Sequence, residues 1–390
     1  MKLDLPKKIL IYASATHILN DLYLAIFYPL LPFIADDLDL KYSQIGLIKT
    51  VIMGASSMLQ FPAGLISDFM SEFWILSIGN IWVGLGVIGI SIASSYYLLL
   101  ILSLIAGLGG GFQHPVASRL VSRTFIKDRL YTSIGVLNFS GDIGKITAPI
   151  VVSVVTLKWG WQTCLLAVGI FGVSLTILTL LPINRWVFKH NNLKNIHENN
   201  DQIDNVKVKT SLFNFTKLMF AGSLDSVVRY TVLTFLPFIF ISQGMSIKNT
   251  SLVFIILYIG GALGKVFSGK LSDYFPPINI IAITKILTSF SLLAILFIDY
   301  KIALLVVFFL GIGLNGTSSV FYGSVARVTD VNKRGKYFGI YYTATEGMGA
   351  ISPLIFGIIS DVFNINVAIY AIFVICLSVI PISYRVNLKN

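Results

Sequence analysis

The chain has 390 residues, of which 55% are hydrophobic and only 12% are charged, and its mean hydropathy is +0.82. A soluble protein of this length would carry about 25% charged residues, so the composition excludes a soluble globular protein. The net charge of +11 does not indicate nucleic-acid binding, because the basic residues concentrate at the termini and in every second connection between apolar runs.

Apolar runs long enough to cross a bilayer, at about 20 residues each, recur along the whole chain. We predict twelve membrane-spanning helices near 8–35, 43–67, 73–94, 96–122, 130–157, 161–182, 213–241, 246–271, 278–298, 301–326, 337–361 and 365–384. The short alternating strands of a membrane barrel are missing from this pattern. The first run follows Lys7 and Lys8 without a small-residue cleavage site, so it predicts a retained anchor and not a signal peptide.

The basic connections give the predicted orientation. Lys and Arg cluster at both termini and in the connections after the even-numbered spans, as in Arg123 to Arg129. The positive-inside rule therefore predicts that both termini lie in the cytoplasm. We expect a multi-pass protein of a bacterial inner or cell membrane. Cys164 and Cys376 fall inside predicted spans and are interpreted as packing residues without a disulfide.

The two halves of the chain repeat one another. "LPFI" at Leu31–Ile34 recurs at Leu236–Ile239, and "GLISD" at Gly64–Asp68 recurs as "GKLSD" at Gly269–Asp273, each 205 positions later. The polar, Asn- and Lys-rich stretch 183–212 reads as a linker. We therefore predict an N-terminal six-helix half over 1–182, a cytoplasmic linker over 183–212 and a C-terminal six-helix half over 213–390.

Later in the repeat the spacing is 204. It relates Arg123 to Arg327 and Asp142 to Glu346. The fold class predicted is an all-α membrane protein of twelve transmembrane helices in two pseudo-symmetric six-helix halves. Parallel repeats of this kind are the organisation of major facilitator transporters.

The two G-x-x-S-D stretches end at Asp68 and Asp273, after the second and eighth spans. We interpret both aspartates as gating residues, with an ordinary helix-terminal turn as the alternative. Arg119, close to the end of the fourth span, is placed with them because a long cationic side chain there reaches the membrane boundary.

Ionisable groups inside a membrane are costly and usually face a cavity or a partner. His17 and Asp21 share one helix face at a spacing of four, with Asn20 beside them. Two further spacings predict ion pairs within one helix, Asp142 with Lys145 and Asp225 with Arg229. Each pair has two interpretations, a functional one and mere toleration of charge in the membrane.

Glu346 has no basic residue three or four positions away on its own helix. Burial disfavours the ionised form of a carboxylate that has no partner, so such a carboxylate takes up a proton readily. A carboxylate that is protonated on one side of the membrane and ionised on the other couples transport to protons. The residues predicted to couple protons are Asp21, Asp142, Asp225 and Glu346.

Three stretches together resemble the fosmidomycin resistance protein family of major facilitator exporters. They are "THILNDLYLAIFYPLLPFI" with "YSQIGLI", "LQFPAGLISD", and "GFQHPVASRLVSR". The resemblance implies a rocker-type transporter with its site near the bilayer midplane. It departs from the family at Val116, where a glutamate is usual, and at Ser103, where the superfamily often has an arginine. The substrate of that family therefore need not carry over.

The leading hypothesis is a secondary transporter, moving a small polar or anionic organic compound by alternating access in proton-coupled efflux. A proton-coupled importer or exchanger of an organic anion or amino-acid-like metabolite is the alternative. A receptor on a transporter fold is a third class, whereas no enzyme motif, cofactor site or metal-ligand cluster is predicted. The partners expected are the substrate, protons and the bilayer, with a monomeric chain. The candidate substrate-binding residues are His17, Asn20, Gln113, His114, Asn138, Lys145, Arg229, Asn315 and Tyr342.

Overall fold

The computed structural model describes residues 4–125, 128–189, 211–329 and 334–386, and nearly all of these are helical. Thirteen helices are labelled here in chain order: α1 (Leu5–Ala25), α2 (Phe27–Asp37), α3 (Tyr42–Phe69), α4 (Glu72–Ile90), α5 (Tyr96–Gly110), α6 (Gln113–Thr124), α7 (Asp128–Leu180), α8 (Leu212–Ser242), α9 (Thr250–Tyr274), α10 (Pro277–Phe297), α11 (Tyr300–Val328), α12 (Arg334–Val362) and α13 (Ile365–Tyr384). Ten helical stretches in the described residues are long and apolar enough to cross a membrane.

The helices account for every predicted span: two spans contain a break, and two others are joined in one helix. The first span divides at Ile26, since Pro29 has no N–H for the carbonyl of Ala25. The fourth divides between Gly110 and Gln113, where Pro115 has the same effect. The fifth and sixth are joined in α7, which turns at Gly160 with a φ of 81° that glycine adopts easily.

Contacts divide the chain into two compact units. Unit 1 consists of Met1–Ile26 and Ala55–Val206, and unit 2 of Phe27–Gly54 and Lys207–Asn390. The second span is therefore shared, because 42–54 packs with unit 2 and 55–69 with unit 1. The predicted linker stays a prediction, since 190–210 lies outside the described residues.

Unit 1 has an apolar core at the end of α1 that carries the N-terminus. Ile9 and Tyr12 pack there with Phe73, Leu76 and Val121. The Tyr12 hydroxyl donates to the Phe73 carbonyl at 2.8 Å, so the polar tip of this buried ring is satisfied. Helices α4 and α5 pack closely, because Gly109 has no side chain that would collide with Val83 of α4.

Unit 2 has an equivalent core formed by α8, α10, α11 and α12. Leu218, Ile281, Phe321 and Tyr341 are buried in it. Helices α9 and α11 cross closely because Gly264 and Gly311 have no side chain: a Cβ on either would overlap a backbone carbonyl of the other helix. Close crossings at small residues are typical of helices packed within a bilayer.

Candidate functional site

Unit 1 holds a group of ionisable side chains around Asp21, which we call the Asp21 cluster: His17, Asp21, His114, Asp142 and Lys145. Lys145 Nζ lies 3.0 Å from Asp21 Oδ2 and 3.7 Å from Asp142 Oδ1. His17 Nε2 lies 3.6 Å from Asp21 Oδ2, and His114 Nε2 lies 3.9 Å from Asp21 Oδ1. The predicted Asp142–Lys145 pair is confirmed, although the closer partner of Lys145 is Asp21.

The backbone orients this cluster. His17 Nδ1 lies 2.9 Å from the Leu137 carbonyl, so in a neutral ring Nδ1 carries the proton and the Nε2 lone pair faces Asp21. Helix α7 comes close to α1 at Gly141, where a Cβ would strike the Asp21 carboxylate. Asp21 and His17 are buried, whereas about a third of the Lys145 and His114 side chains is exposed. The cluster thus places the buried carboxylate of Asp21 beside Lys145 and His114, which are accessible to solvent.

Both histidines of the cluster approach the Asp21 carboxylate. One nitrogen each of His17 and His114 and a carboxylate oxygen of Asp21 lie within 4.8 Å of one another. Sequence spacing did not reveal this group because His114 comes from α6 and the other two from α1. The Lys145 ammonium, 3.0 Å from the same carboxylate, opposes a divalent cation there and favours proton or anion chemistry.

The amide side chains predicted near this cluster have different environments. Gln113 donates to Thr16 Oγ1 at 3.2 Å and accepts from Asn80 Nδ2 at 3.1 Å, which ties α6 to α1 and α4. Asn20 is buried with neither polar side-chain atom hydrogen-bonded, whereas Asn138 is exposed on α7. Asn20 therefore has a donor and an acceptor available for a ligand, whereas Gln113 already hydrogen-bonds to Thr16 and Asn80.

Unit 2 holds a second group, the Glu346 cluster: Ser226, Arg229, Tyr230 and Glu346. Arg229 Nη2 donates to Glu346 Oε1 and to Ser226 Oγ, each at 3.2 Å, and the Tyr230 hydroxyl donates to Glu346 Oε2. The prediction that Glu346 lacks a partner is therefore wrong. Its partners come from α8, and a search of its own helix could not reveal them.

The predicted pairing of Asp225 with Arg229 is also wrong. Asp225 pairs with Lys285 of α10, and Arg229 pairs with Glu346 of α12. A spacing of four makes a contact possible, but here the neighbouring helices present closer partners to both residues. The two pairs differ in access: the side chains of Lys285 and Asp225 are 0% and 4% exposed, those of Arg229 and Glu346 17% and 15%.

Lys49 of α3 was not among the predicted site residues and is fully buried in unit 2. Its ammonium lies 3.6 Å from the centre of the Tyr28 ring, a cation–π contact. Tyr28 is in turn within electrostatic reach of Arg229 and Glu346. A lysine in the interior of a predicted span was the signal that would have found it.

Two further predicted binding residues lie in unit 2. Tyr342 is half-buried, with its ring 5.0 Å from that of Tyr322. Asn315 is half-buried too, and its Nδ2 has no hydrogen-bond partner.

Arg119 lies at the first G-x-x-S-D stretch. Its Nη1 donates to the Gly64 carbonyl at 3.2 Å and to Ser67 Oγ at 2.5 Å. Glu72, a buried carboxylate that sequence reasoning missed, lies 3.6 Å from Arg119 and 2.8 Å from Arg123. The side chains of Asp68 and Asp273 lie outside the described part of the structure, so their gating role stays a prediction.

A family model for the Major Facilitator Superfamily matches residues 13–206 and 218–388. The chain belongs to this superfamily. It is therefore a multi-pass membrane transporter with two pseudo-symmetric halves of six helices, and the predicted fold class is confirmed.

Individual relatives agree with this assignment. The fosmidomycin resistance protein of Escherichia coli is 25% identical over 67% of this chain, and the match covers 64% of the relative, slightly less than two thirds of its length. The hexuronate transporter of Bacillus subtilis is 22% identical over 85% of this chain and 82% of its own. The predicted resemblance to the fosmidomycin resistance family is thus confirmed.

A solved structure has the same fold. A bacterial homologue of the human lysosomal transporter Spinster, in an inward-facing and occupied conformation, superposes with a TM-score of 0.78. The alignment covers 100% of this chain and 99% of that one, at 14% identity. Identity this low establishes the shared fold alone.

Proposed function

We propose that this transporter exchanges protons for a small anionic organic compound by alternating access, and that it works as an exporter. The observation that carries the proposal is the Glu346 cluster, where one carboxylate accepts from both a guanidinium and a phenol and is still partly exposed. Two charged groups that solvent reaches inside a membrane protein form a natural site for ion coupling.

Arg229 connects substrate to proton. A guanidinium binds carboxylates and phosphonates in the same way that it binds Glu346. The ionised Glu346 carboxylate holds Arg229 Nη2 in position, and the other N–H groups of the guanidinium bind the anion. Protonation of Glu346 removes the charge that positions Arg229 and lowers the affinity for the anion, so the proton and the anion occupy the site in alternation.

Two observations support an anionic substrate. The names of the two curated relatives refer to hexuronates and to fosmidomycin, which carry a carboxylate and a phosphonate respectively. Within unit 2 the partly exposed Arg229 lies near Tyr28, whose ring holds Lys49. The Asp21 cluster supplies a second carboxylate–cation group, and we assign Asp21 and Asp142 to proton transfer with His17, His114 and Lys145.

Asp225 differs from the other carboxylates, because it forms a buried ion pair with Lys285. We assign that pair to structure. The residues that we still propose as substrate contacts are Asn20, Asn138, Asn315 and Tyr342. We further propose that both termini lie in the cytoplasm of a bacterial cell, that the division at 183–212 separates the halves, and that the chain is a monomer.

The test uses purified full-length protein in proteoliposomes with an internal pH dye and fosmidomycin or glucuronate as probe. Either anion, moving down its gradient, should drive a countermovement of protons, and a pH gradient should drive anion uptake against its own. Glu346→Gln should abolish proton-driven flux and retain exchange of labelled for unlabelled anion. Proton-driven flux at the normal rate in Glu346→Gln would refute the assignment.

Arg229→Ala provides the second arm. It should weaken binding of glucuronate at least tenfold while glucose, the neutral analogue, is unaffected. Equal losses for the charged and neutral sugars would leave Arg229 a structural partner of Glu346. An importer, the alternative function, would take up the anion together with protons and not in exchange for them.

A further inference from the structure

The structure has a groove in unit 1 that shares no residue with either ionisable cluster. It measures about 800 Å³ and is bounded by the first residues of α1 and the segment that follows α7. Its lining falls into two chemical classes. The lining residues are Leu5, Lys8, Ile11, Leu181, Pro182, Arg185, Trp186 and Lys189.

The apolar side of the groove opens outward. Leu181 is 84% exposed, and Ile11 and the adjoining Phe188 are largely exposed as well. Exposed apolar side chains at the end of a membrane span lose least free energy when acyl chains cover them. This side of the groove therefore suits an acyl chain.

The basic side consists of three cations, Lys8, Arg185 and Lys189. No carboxylate lines the groove in the part of the chain that the structure describes. Three positive charges around one cavity favour an anion with several oxygen acceptors, such as a phosphate ester. Lys7, next to Lys8, points elsewhere and lies 3.8 Å from Asp4.

Trp186 joins the two sides. Its ring contacts Tyr12 with a centroid distance of 6.0 Å and Phe73 with a centroid distance of 6.4 Å, so one edge is fixed against the unit 1 core. Tryptophan is enriched where the headgroups meet the acyl chains. The groove thus has a rigid aromatic floor at the depth where a phospholipid changes from polar to apolar.

We propose that this groove is a binding site for an anionic phospholipid, with the headgroup phosphate held by Lys8, Arg185 and Lys189 and an acyl chain along Leu181 and Ile11. Basic pockets between helices at a membrane surface are known to bind such headgroups. The segment after α7 leads into the connection between the six-helix halves, so lipid at this position anchors the start of that connection at the bilayer surface.

The test measures binding of dihexanoyl phosphatidylglycerol, a soluble anionic lipid, to the purified full chain in a neutral detergent. Dihexanoyl phosphatidylcholine and inorganic phosphate serve as the other two probes. The anionic lipid should bind and raise the melting temperature. Equal binding of phosphatidylcholine, or binding of free phosphate as tight as that of the lipid, would overturn the proposal.

The variants locate the site. Arg185→Gln and Lys8→Gln should each weaken binding of the anionic lipid about fivefold, since one basic residue near such a surface contributes about that factor. Lys7→Gln is the matched control, with the same charge removed one residue away, and should bind as the unaltered chain does. If Lys7→Gln lost as much as Lys8→Gln, the attraction would come from net charge alone and the groove would not be a site. Transport is not used as a readout, so the result does not depend on the proposed function.

Discussion

At the scale of single residues, the two ion pairs of unit 2 have different energetic consequences. Asp225 and Lys285 are both buried, so each charge is stabilised chiefly by the other. Removal of one partner leaves an uncompensated charge in an apolar environment, at a cost of about 3–5 kcal/mol. Arg229 and Glu346 are within reach of water, which lowers the cost of separating them and allows a cycle of pairing and release.

The first repeat has different residues at the positions that correspond to the buried Asp225–Lys285 pair. Positions 205 residues before Asp225 and Lys285 hold Asn20 and Asn80. Asn80 donates to the Leu76 carbonyl at 3.0 Å and to Gln113, so unit 1 fills the equivalent space with neutral amides. The fold accommodates an ion pair in unit 2 and neutral amides in unit 1. Charged side chains at these positions are therefore not required for helix packing.

This comparison predicts the outcome of a double-mutant cycle. Asp225→Asn and Lys285→Asn alone should each destabilise the chain by about 3–5 kcal/mol, because one buried charge is left without its partner. The double variant should recover most of that loss, giving a coupling energy well above the few tenths expected for independent sites. Thermal unfolding in detergent measures all four chains. Additive losses would show that the pair does not act as a unit.

The same residues show what the sequence could predict. Hydropathy predicted the spans, and the 205-residue repeat predicted the two-half fold. Both signals can be read directly from the order of residues along the chain. Glu346 with Arg229, and His114 with Asp21, could not be paired in advance, because their partners lie on other helices. Lys49 was visible in the sequence, and only its contact with Tyr28 required the structure.

At the scale of elements, unit 2 depends on a close approach of α3 to α12. A Cβ on Gly46 would overlap the Pro353 carbonyl, and one on Gly357 would strike the Tyr42 carbonyl. The Asp361 carboxylate accepts from the Tyr42 and Ser43 amides at 2.9 and 3.0 Å. An aspartate there satisfies two of the free N–H groups at the start of α3 and complements its dipole.

Two glycines of α3 allow a matched test of this contact. Gly46→Ala should destabilise the chain by about 1–3 kcal/mol, because the methyl group has no space beside Pro353. Gly54→Ala, on the same helix with nothing within 4 Å of a new Cβ, should be neutral or stabilising by up to about 1 kcal/mol, since alanine favours helix. Melting temperatures of the two variants decide the question. Equal shifts would show that helix propensity, and not the crossing, governs both positions.

At the scale of the whole molecule, the two units do not coincide with the two repeats. Residues 27–54 belong to the first repeat by sequence and to unit 2 by contact. Two spans of the first repeat, the one containing α1 and α2 and the one formed by α3, are therefore divided between the units. The contact of Asp361 with the start of α3 lies on this shared segment.

In an alternating-access cycle, we expect the contact between α3 and Asp361 to open once per turnover, because it joins segments of different repeats. Cysteines at Ser43 and Asp361, in a chain with Cys164→Ala and Cys376→Ala, should form a cross-link with a short bifunctional thiol reagent and stop transport. Cleavage of the cross-link should restore it. The control pair replaces Trp82 and Ile105, which are hydrogen-bonded at 2.8 Å between α4 and α5 inside unit 1, and its cross-link should leave flux unchanged. Full flux with the first pair cross-linked would mean that α3 and α12 stay together throughout the cycle, and the opening would have to occur elsewhere in the molecule.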